Sequence, residues 1–170
     1  MHWQRRMAAG MLAAVVLGAD GAAAGSPELC EAIAQADLGD LLTKGAELSV
    51  TGPLEYGGLR TVSCAFGPAL GPTLIVNIGE DIGDQMPDTA AEAAAAEAAM
   101  LRMIEGPDHP LEDIAGLGAA AFWDPASGLL RVWPGDGQIA VQISVLGVED
   151  PRSVAEEAAR RVLAVLPAGG

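Results

Sequence analysis

Lysine is almost missing from this sequence. Of 170 residues nine are basic, Lys44 is the one lysine, and 23 are acidic, for a net charge of −14. A chain with so few cations cannot assemble a basic patch, which excludes nucleic acid and anionic lipid as partners. The same charge favours solubility and permits a cationic partner. Histidine is confined to His2 and His109. A serine–histidine–acid triad would have to use His109, yet no serine sits in a nucleophile-elbow context. The two cysteines, Cys30 and Cys64, lack metal-site spacing, and a thiol nucleophile would need a histidine partner and a low thiol pKa. Long apolar runs are missing too. The stretch Met7–Ala19 has 13 uncharged residues, short of the ~20 that span a bilayer as helix.

What that stretch does have is the form of a secretory signal. Arg5 and Arg6 precede it and Ala22-Ala23-Ala24 offers a small-residue cleavage site. Residues 1–24 are therefore expected to be removed, leaving a mature chain from Gly25 with no segment that inserts into a membrane. Lipid attachment at Cys30 is not expected, because Pro27-Glu28-Leu29 replace the small residues such a site needs. Without Arg5, Arg6 and Asp20 the chain keeps 22 acidic and 7 basic residues, and its net charge becomes −15. Residues 25–170 are one domain by length, enough for a single core. Export to a bacterial periplasm or beyond puts both cysteines in an oxidising compartment. One Cys30–Cys64 disulfide is then expected.

Ser26-Pro27 opens a first helix with Leu29, Cys30 and Ile33 on one face. Asp37 begins a second short helix, Leu38–Lys44, ended by Gly45. Ala46–Val50 reads as a strand and Thr51–Gly58, with its Gly-Pro and Gly-Gly pairs, as a loop. Leu59–Phe66 and Thr73–Gly79 are strands with Val62, Cys64, Phe66, Leu74, Val76 and Ile78 inward. Glu80–Pro87 is an acidic loop. Its Glu80, Asp81, Asp84 and Asp88 lack the alternating spacing of a calcium loop, so it reads as solvated. Thr89-Ala90-Ala91-Glu92 fits a capping box at the head of an alanine-rich helix to Glu105, whose stripe is read as Ala93, Ala96, Met100, Met103 and Ile104. Asp150-Pro151 starts the last helix, with Glu156–Arg160 and Glu157–Arg161 as i,i+4 pairs.

Between these helices, Ile114–Gly147 reads as three strands joined by turns at Asp124–Gly128 and Pro134–Gly137. Ile139, Val141, Ile143 and Val145 alternate with polar and small residues, the period of a half-buried strand. With those turns setting the register, Leu130 lies near Phe122 and Val132 faces Ile139 on the buried side. Trp123, Arg131, Trp133, Gln138 and Gln142 then share the opposite face. If that face is open, it is a candidate binding patch, since aromatics beside arginine and amides are enriched in such patches. The competing arrangement is a second small core, with the loop Thr51–Gly58 and its Tyr56 folded over the tryptophans. The expected fold is α+β: a single antiparallel sheet of about six strands, helices packed on one face, and one disulfide. The two halves share an element order, a hint of duplication.

Three segments together resemble a group of small exported bacterial domains. They are Cys30 with the spaced apolar residues to Leu41-Leu42, Cys64-Ala65-Phe66, and Gly116-Leu117-Gly118-Ala119-Ala120-Ala121-Phe122-Trp123 before a glycine turn. The group includes actinobacterial lipoproteins of unknown function and is similar to extracellular sensor domains of bacterial serine/threonine kinases. The resemblance implies ligand or partner binding and assigns no binding residues. Gly116-Leu117-Gly118 precedes a strand where a phosphate loop would open a helix. No catalytic residue, cofactor or metal is therefore expected. The functional expectation is a non-catalytic exported binding or sensor-like module, acting on an unknown protein or small-molecule ligand. An inhibitor or accessory subunit of another exported protein falls in this class. The alternative is an enzyme with an unusual carboxylate-based site.

Overall fold

The computed structural model describes residues 27–42, 46–68 and 70–166. The expected signal, residues 1–24, lies outside the described residues, as does the 43–45 end of the second helix. In chain order the elements are α1 (Pro27–Ala34), a 3-10 turn (Leu38–Leu41), β1 (Leu48–Tyr56), β2 (Leu59–Phe66), β3 (Thr73–Asp81), α2 (Ala90–Glu105), β4 (Glu112–Asp113), β5 (Ala120–Asp124), β6 (Leu129–Trp133), β7 (Ile139–Leu146) and α3 (Pro151–Val165).

The strands form one sheet in the order β1-β2-β3-β7-β6-β5-β4, and every neighbouring pair is antiparallel. Two meanders, β1–β2–β3 and β5–β6–β7, meet at β3 and β7, where Leu74, Val76 and Ile78 oppose Val145, Ile143 and Val141. The expected count of about six becomes seven because the polar segment before Ile114 adds β4, a two-residue edge strand on β5. At the other edge, β1 runs on through the expected loop to Tyr56. Gly52-Pro53 does not end it, because an edge strand can absorb a proline at an irregularity. The register shifts between Thr51 and Leu54.

The alternating apolar residues of β2, β3, β6 and β7 build the main core on one face, here called the front. Val62, Cys64, Val76, Ile78, Leu130, Val132 and Ile143 are fully buried there, with Leu29 and Ile33 of α1 and Ala158 and Val162 of α3 over them. Cys30 and Cys64 are bonded, with Cα atoms 5.4 Å apart, so the disulfide ties the eight-residue α1 to β2. A helix that short has little stability of its own and depends on this anchor. Asp150 caps α3 by accepting from the Ser153 N–H at 3.1 Å, and Glu156–Arg160 and Glu157–Arg161 pair along its wet side.

The helices do not all lie on one face, as the sequence suggested. α2 packs on the back, over β5 and β6, where Ala90 and Ala93 cover Phe122 and Trp133 in a separate small core. The two rings sit 5.7 Å apart, tilted by 42°. Burying roughly 150–250 Å2 of such a ring at about 25 cal/mol per Å2 contributes about 4–6 kcal/mol before conformational costs. That second apolar patch is what draws a helix to the back. A two-fold axis exchanging β3 and β7 would put α2 and α3 on the same face, so their placement gives the duplication reading no support.

Candidate functional site

α2 covers only the β5–β6 half of the back face. The Thr89 oxygen accepts from the Glu92 N–H at 3.2 Å and its hydroxyl donates to Glu92 Oε2 at 2.8 Å, which fixes where the helix begins. Its buried side is narrow and made of alanine, because Phe122 and Trp133 supply the bulk beneath. The face read as its apolar stripe is rotated away from the sheet beyond Ala93. Met100, Met103 and Ile104 are exposed, Met103 by 79%.

Beside α2 the back of β7, β3 and β2 stays open, and a cleft of about 570 Å3 lies between helix and sheet. Its floor is Leu59 and Thr61 of β2, Asn77 and Gly79 of β3, and Ala140 and Gln142 of β7. These form cross-strand rows: Thr61, Gly79 and Ala140 in one, Asn77 and Gln142 in the next. Ala93, Ala96, Glu97 and Met100 make the helix wall, and Gln85, Met86 and Pro87 close one end.

That end is shaped by Asp81. Its carboxylate accepts N–H bonds from Gly83 at 2.9 Å, Gln85 at 2.7 Å and Met86 at 2.5 Å. The Met86 and Gly83 bonds, with a lesser contribution from Gln85, hold the Asp81 pKa below the usual carboxylate range although burial opposes them. The acidic loop is therefore folded around one of its own acids.

Among the described residues Glu97 is the one acid lining the cleft. Burial pushes its pKa up, and Arg131 of β6, whose Nη1 contacts Glu97 Oε1, only partly offsets this. Both side chains are mostly buried, at 18% and 11% exposed. The pair spans from α2 to the sheet and leaves the deep side of the cleft electrically balanced.

The five candidate residues are not brought together. Trp133, Arg131 and Gln142 do lie on the back, and Arg131 is directly opposite Gln142. Trp123 is on the front, opposite Leu130 and within the main core. Trp123 is 5% exposed and Trp133 is fully buried, so neither offers an open aromatic face. Tyr56 does not fold over them but stands 89% exposed on β1, and what covers Trp133 is α2. Gln138 precedes β7, with its N–H bonded to the Asp136 carboxylate at 3.0 Å. Only Gln142 of the five lines the cleft.

Phe122 occupies the back-face position expected for Trp123 because the first turn begins one residue later than the sequence suggested. Asp124 pairs with Leu129 as the last residue of β5. Its carbonyl accepts from Gly128 at 2.9 Å. Its carboxylate accepts from Ala126 at 3.0 Å and from the Ser127 hydroxyl at 2.6 Å. The side chain of His109, in the connection between α2 and β4, is only 8% exposed, with Nε2 3.2 Å from Asp124 Oδ1. Burial pushes the Asp124 pKa up, but the Ser127 hydroxyl, the turn amides and His109 together hold it down. In this cluster the aspartate lies between serine and histidine. A nucleophilic triad needs the histidine in the middle; here Asp124 and Ser127 fix the hairpin turn, and His109 packs the α2–β4 connection against it.

The cleft residues missed in the sequence are Glu97, Gly79, Asn77, Thr61, Leu59, Gln85 and Met86. A signal existed for Glu97 alone. It falls four residues after Ala93 and seven after Ala90, a carboxylate on the buried stripe. Among the described residues no group of three metal-binding side chains occurs, and no helix is long and apolar enough to cross a membrane. No protein-family model, curated protein or solved structure matches the chain.

Proposed function

We propose that this protein is a non-catalytic binding or sensor-like module of an exported compartment, and that its recognition site is the cleft beside α2. The observation that carries this reading is the cleft's lining. It joins apolar surface from Leu59, Met86 and Met100 to hydroxyl and amide groups from Thr61, Asn77, Gln85 and Gln142. Its volume falls within the range of ligand sites, and a few polar groups in an apolar setting are what orient a ligand. The disulfide supports an oxidising location. The resemblance to exported bacterial domains, carried by the Cys30, Cys64 and Gly116–Trp123 segments, points the same way.

An enzyme with a carboxylate-based site is the second reading, favoured by the raised pKa of Glu97. Against it, among the described residues no second carboxylate and no serine, cysteine or histidine lines the cleft. A thermal-shift screen with small molecules and peptides tests both readings, because a ligand that binds the native state raises its melting temperature. The expected result is saturable stabilisation without turnover, abolished by Gly79→Val. Turnover of a hit would favour the enzyme. Hits that stabilise Gly79→Val as well would remove the cleft from the account.

A further inference from the structure

The apolar surface around the cleft does not stop at its mouth. Leu54 and Tyr56 of β1 pair with Thr61 and Leu59, so they continue the floor outward on the same face, and both are exposed. Met103 and Ile104, three and four residues beyond Met100, continue the helix wall and are exposed too. A small molecule held in the cleft would leave these rims in water. A segment of polypeptide lying along the groove would cover them, and methionine-rich surfaces suit that use.

Charge narrows the occupant. From Asn77 to Leu101 the chain has Glu80, Asp81, Asp84, Asp88, Glu92 and Glu97 and no basic residue. Glu80 is paired with Arg60 and Glu97 with Arg131. Asp84 and Asp88 are exposed on either side of the Gln85–Pro87 end wall. They are in no ion pair among the described residues. The cleft is thus balanced inside and negative at one mouth.

Gly79 bears on the approach. It lies inside β3 with ordinary backbone angles, and a Cβ built there would meet nothing closer than the Ala140 carbonyl oxygen at 3.9 Å. The fold itself does not require glycine at this position. A glycine inside a strand weakens it and often marks close approach of a ligand or another backbone.

We propose that the cleft, taken as the recognition site argued above, receives an extended segment of a basic partner protein. An apolar side chain of the segment seats between Leu59 and Met100. Its backbone amides meet the Asn77 and Gln142 side chains, and its lysine or arginine residues face Asp84 and Asp88. The test is selection from a phage-displayed library of random twelve-residue peptides on the immobilised, disulfide-bonded protein. Synthetic copies of the selected peptides are then titrated against the wild type and variants. Selected peptides should be enriched in lysine or arginine around an apolar residue. They should bind Gly79→Val and Met100→Gln at least tenfold more weakly, and the Asp84→Asn/Asp88→Asn double variant at least fivefold more weakly at low salt. Met100 and both aspartates are exposed, so those variants keep the test valid should Gly79→Val fail to fold. Recovery of no peptide, of peptides without basic enrichment, or of peptides indifferent to these variants overturns the proposal. If small molecules still stabilise the wild type and not Gly79→Val, the cleft remains a binding site and only its occupant is wrong. If neither peptide nor small molecule binds there, both fall.

Discussion

Cutting the Cys30–Cys64 bond should cost this protein a large part of its stability. The bond joins residues 34 apart in sequence, and the chain-entropy treatment of a loop that long gives about 3–4 kcal/mol. Local packing adds to this. Both cysteines are fully buried, between Leu29 and Ile33 of α1 on one side and Val62 and Phe66 of β2 on the other. Replacing both by alanine removes two sulfur atoms from a close-packed region and releases a helix too short to persist alone. The Cys30→Ala/Cys64→Ala variant should be compared with the oxidised protein by urea unfolding. With a slope of about 1.5–2 kcal/mol per M for a domain of this size, the midpoint should fall by about 2 M. The thermal midpoint should fall by roughly 8–15 °C. A midpoint change worth less than about 0.5 kcal/mol would refute the reasoning, since it would mean that the unfolded chain gains nothing from release of the loop.

Three further outcomes follow from the same packing. In protein lacking residues 1–24, Trp123 and Trp133 are the remaining tryptophans, and both are buried. Emission should be blue-shifted and resist quenching by iodide, whereas emission like that of free tryptophan would contradict the placement of α2 and the front core. Asp124→Asn should destabilise by about 1.5–3 kcal/mol at pH 7, the range for hydrogen bonds to a charged group. The native pKa of Asp124 lies below its ordinary value of 3.8. Its contribution is therefore complete above that value and lost as pH falls through the lower native one, so the two melting curves should converge in acid. A gap that stays constant with pH would show that the carboxylate charge plays no part. Lastly, Ala93→Leu should cost about 1–3 kcal/mol by overpacking against the Phe122–Trp133 cluster, while Met100→Gln should change stability by less than about 0.5 kcal/mol. Equal costs in denaturant melts would return Met100 to a buried stripe.

Much of the fold was legible because regular alternation is hard to misread. Ile139 to Val145, Val62 to Phe66 and Leu74 to Ile78 each set their own buried face, and Thr89 with Glu92 marked the start of α2. The errors arise where a single residue decides. Asp124 counts as strand because its carbonyl and carboxylate both hold the turn from outside it. Moving the turn by one residue sends Trp123 to the front and Phe122 to the back. Gly52-Pro53 looks like a break and is an edge irregularity. In α2 the alanines carry no face signal, so the large Met100, Met103 and Ile104 drew the stripe to the wrong side. The cleft was the least legible feature. Thr61, Asn77 and Gln142 occupy the polar positions of alternating strands and look like any solvent face. Only the sheet order, which puts β7 beside β3, brings them together under one wall of α2.

The most direct test of the cleft as the binding site is NMR of protein labelled at the methionine methyl and tryptophan indole groups. It should be titrated with the most stabilising compound or selected peptide. Met86 and Met100 lie in the end and wall of the cleft. Their methyl resonances should move saturably, with one dissociation constant, while the indole signals of the buried Trp123 and Trp133 stay nearly in place. Saturated binding that leaves Met86 and Met100 unmoved would place the ligand elsewhere and contradict the assignment of function to this cleft.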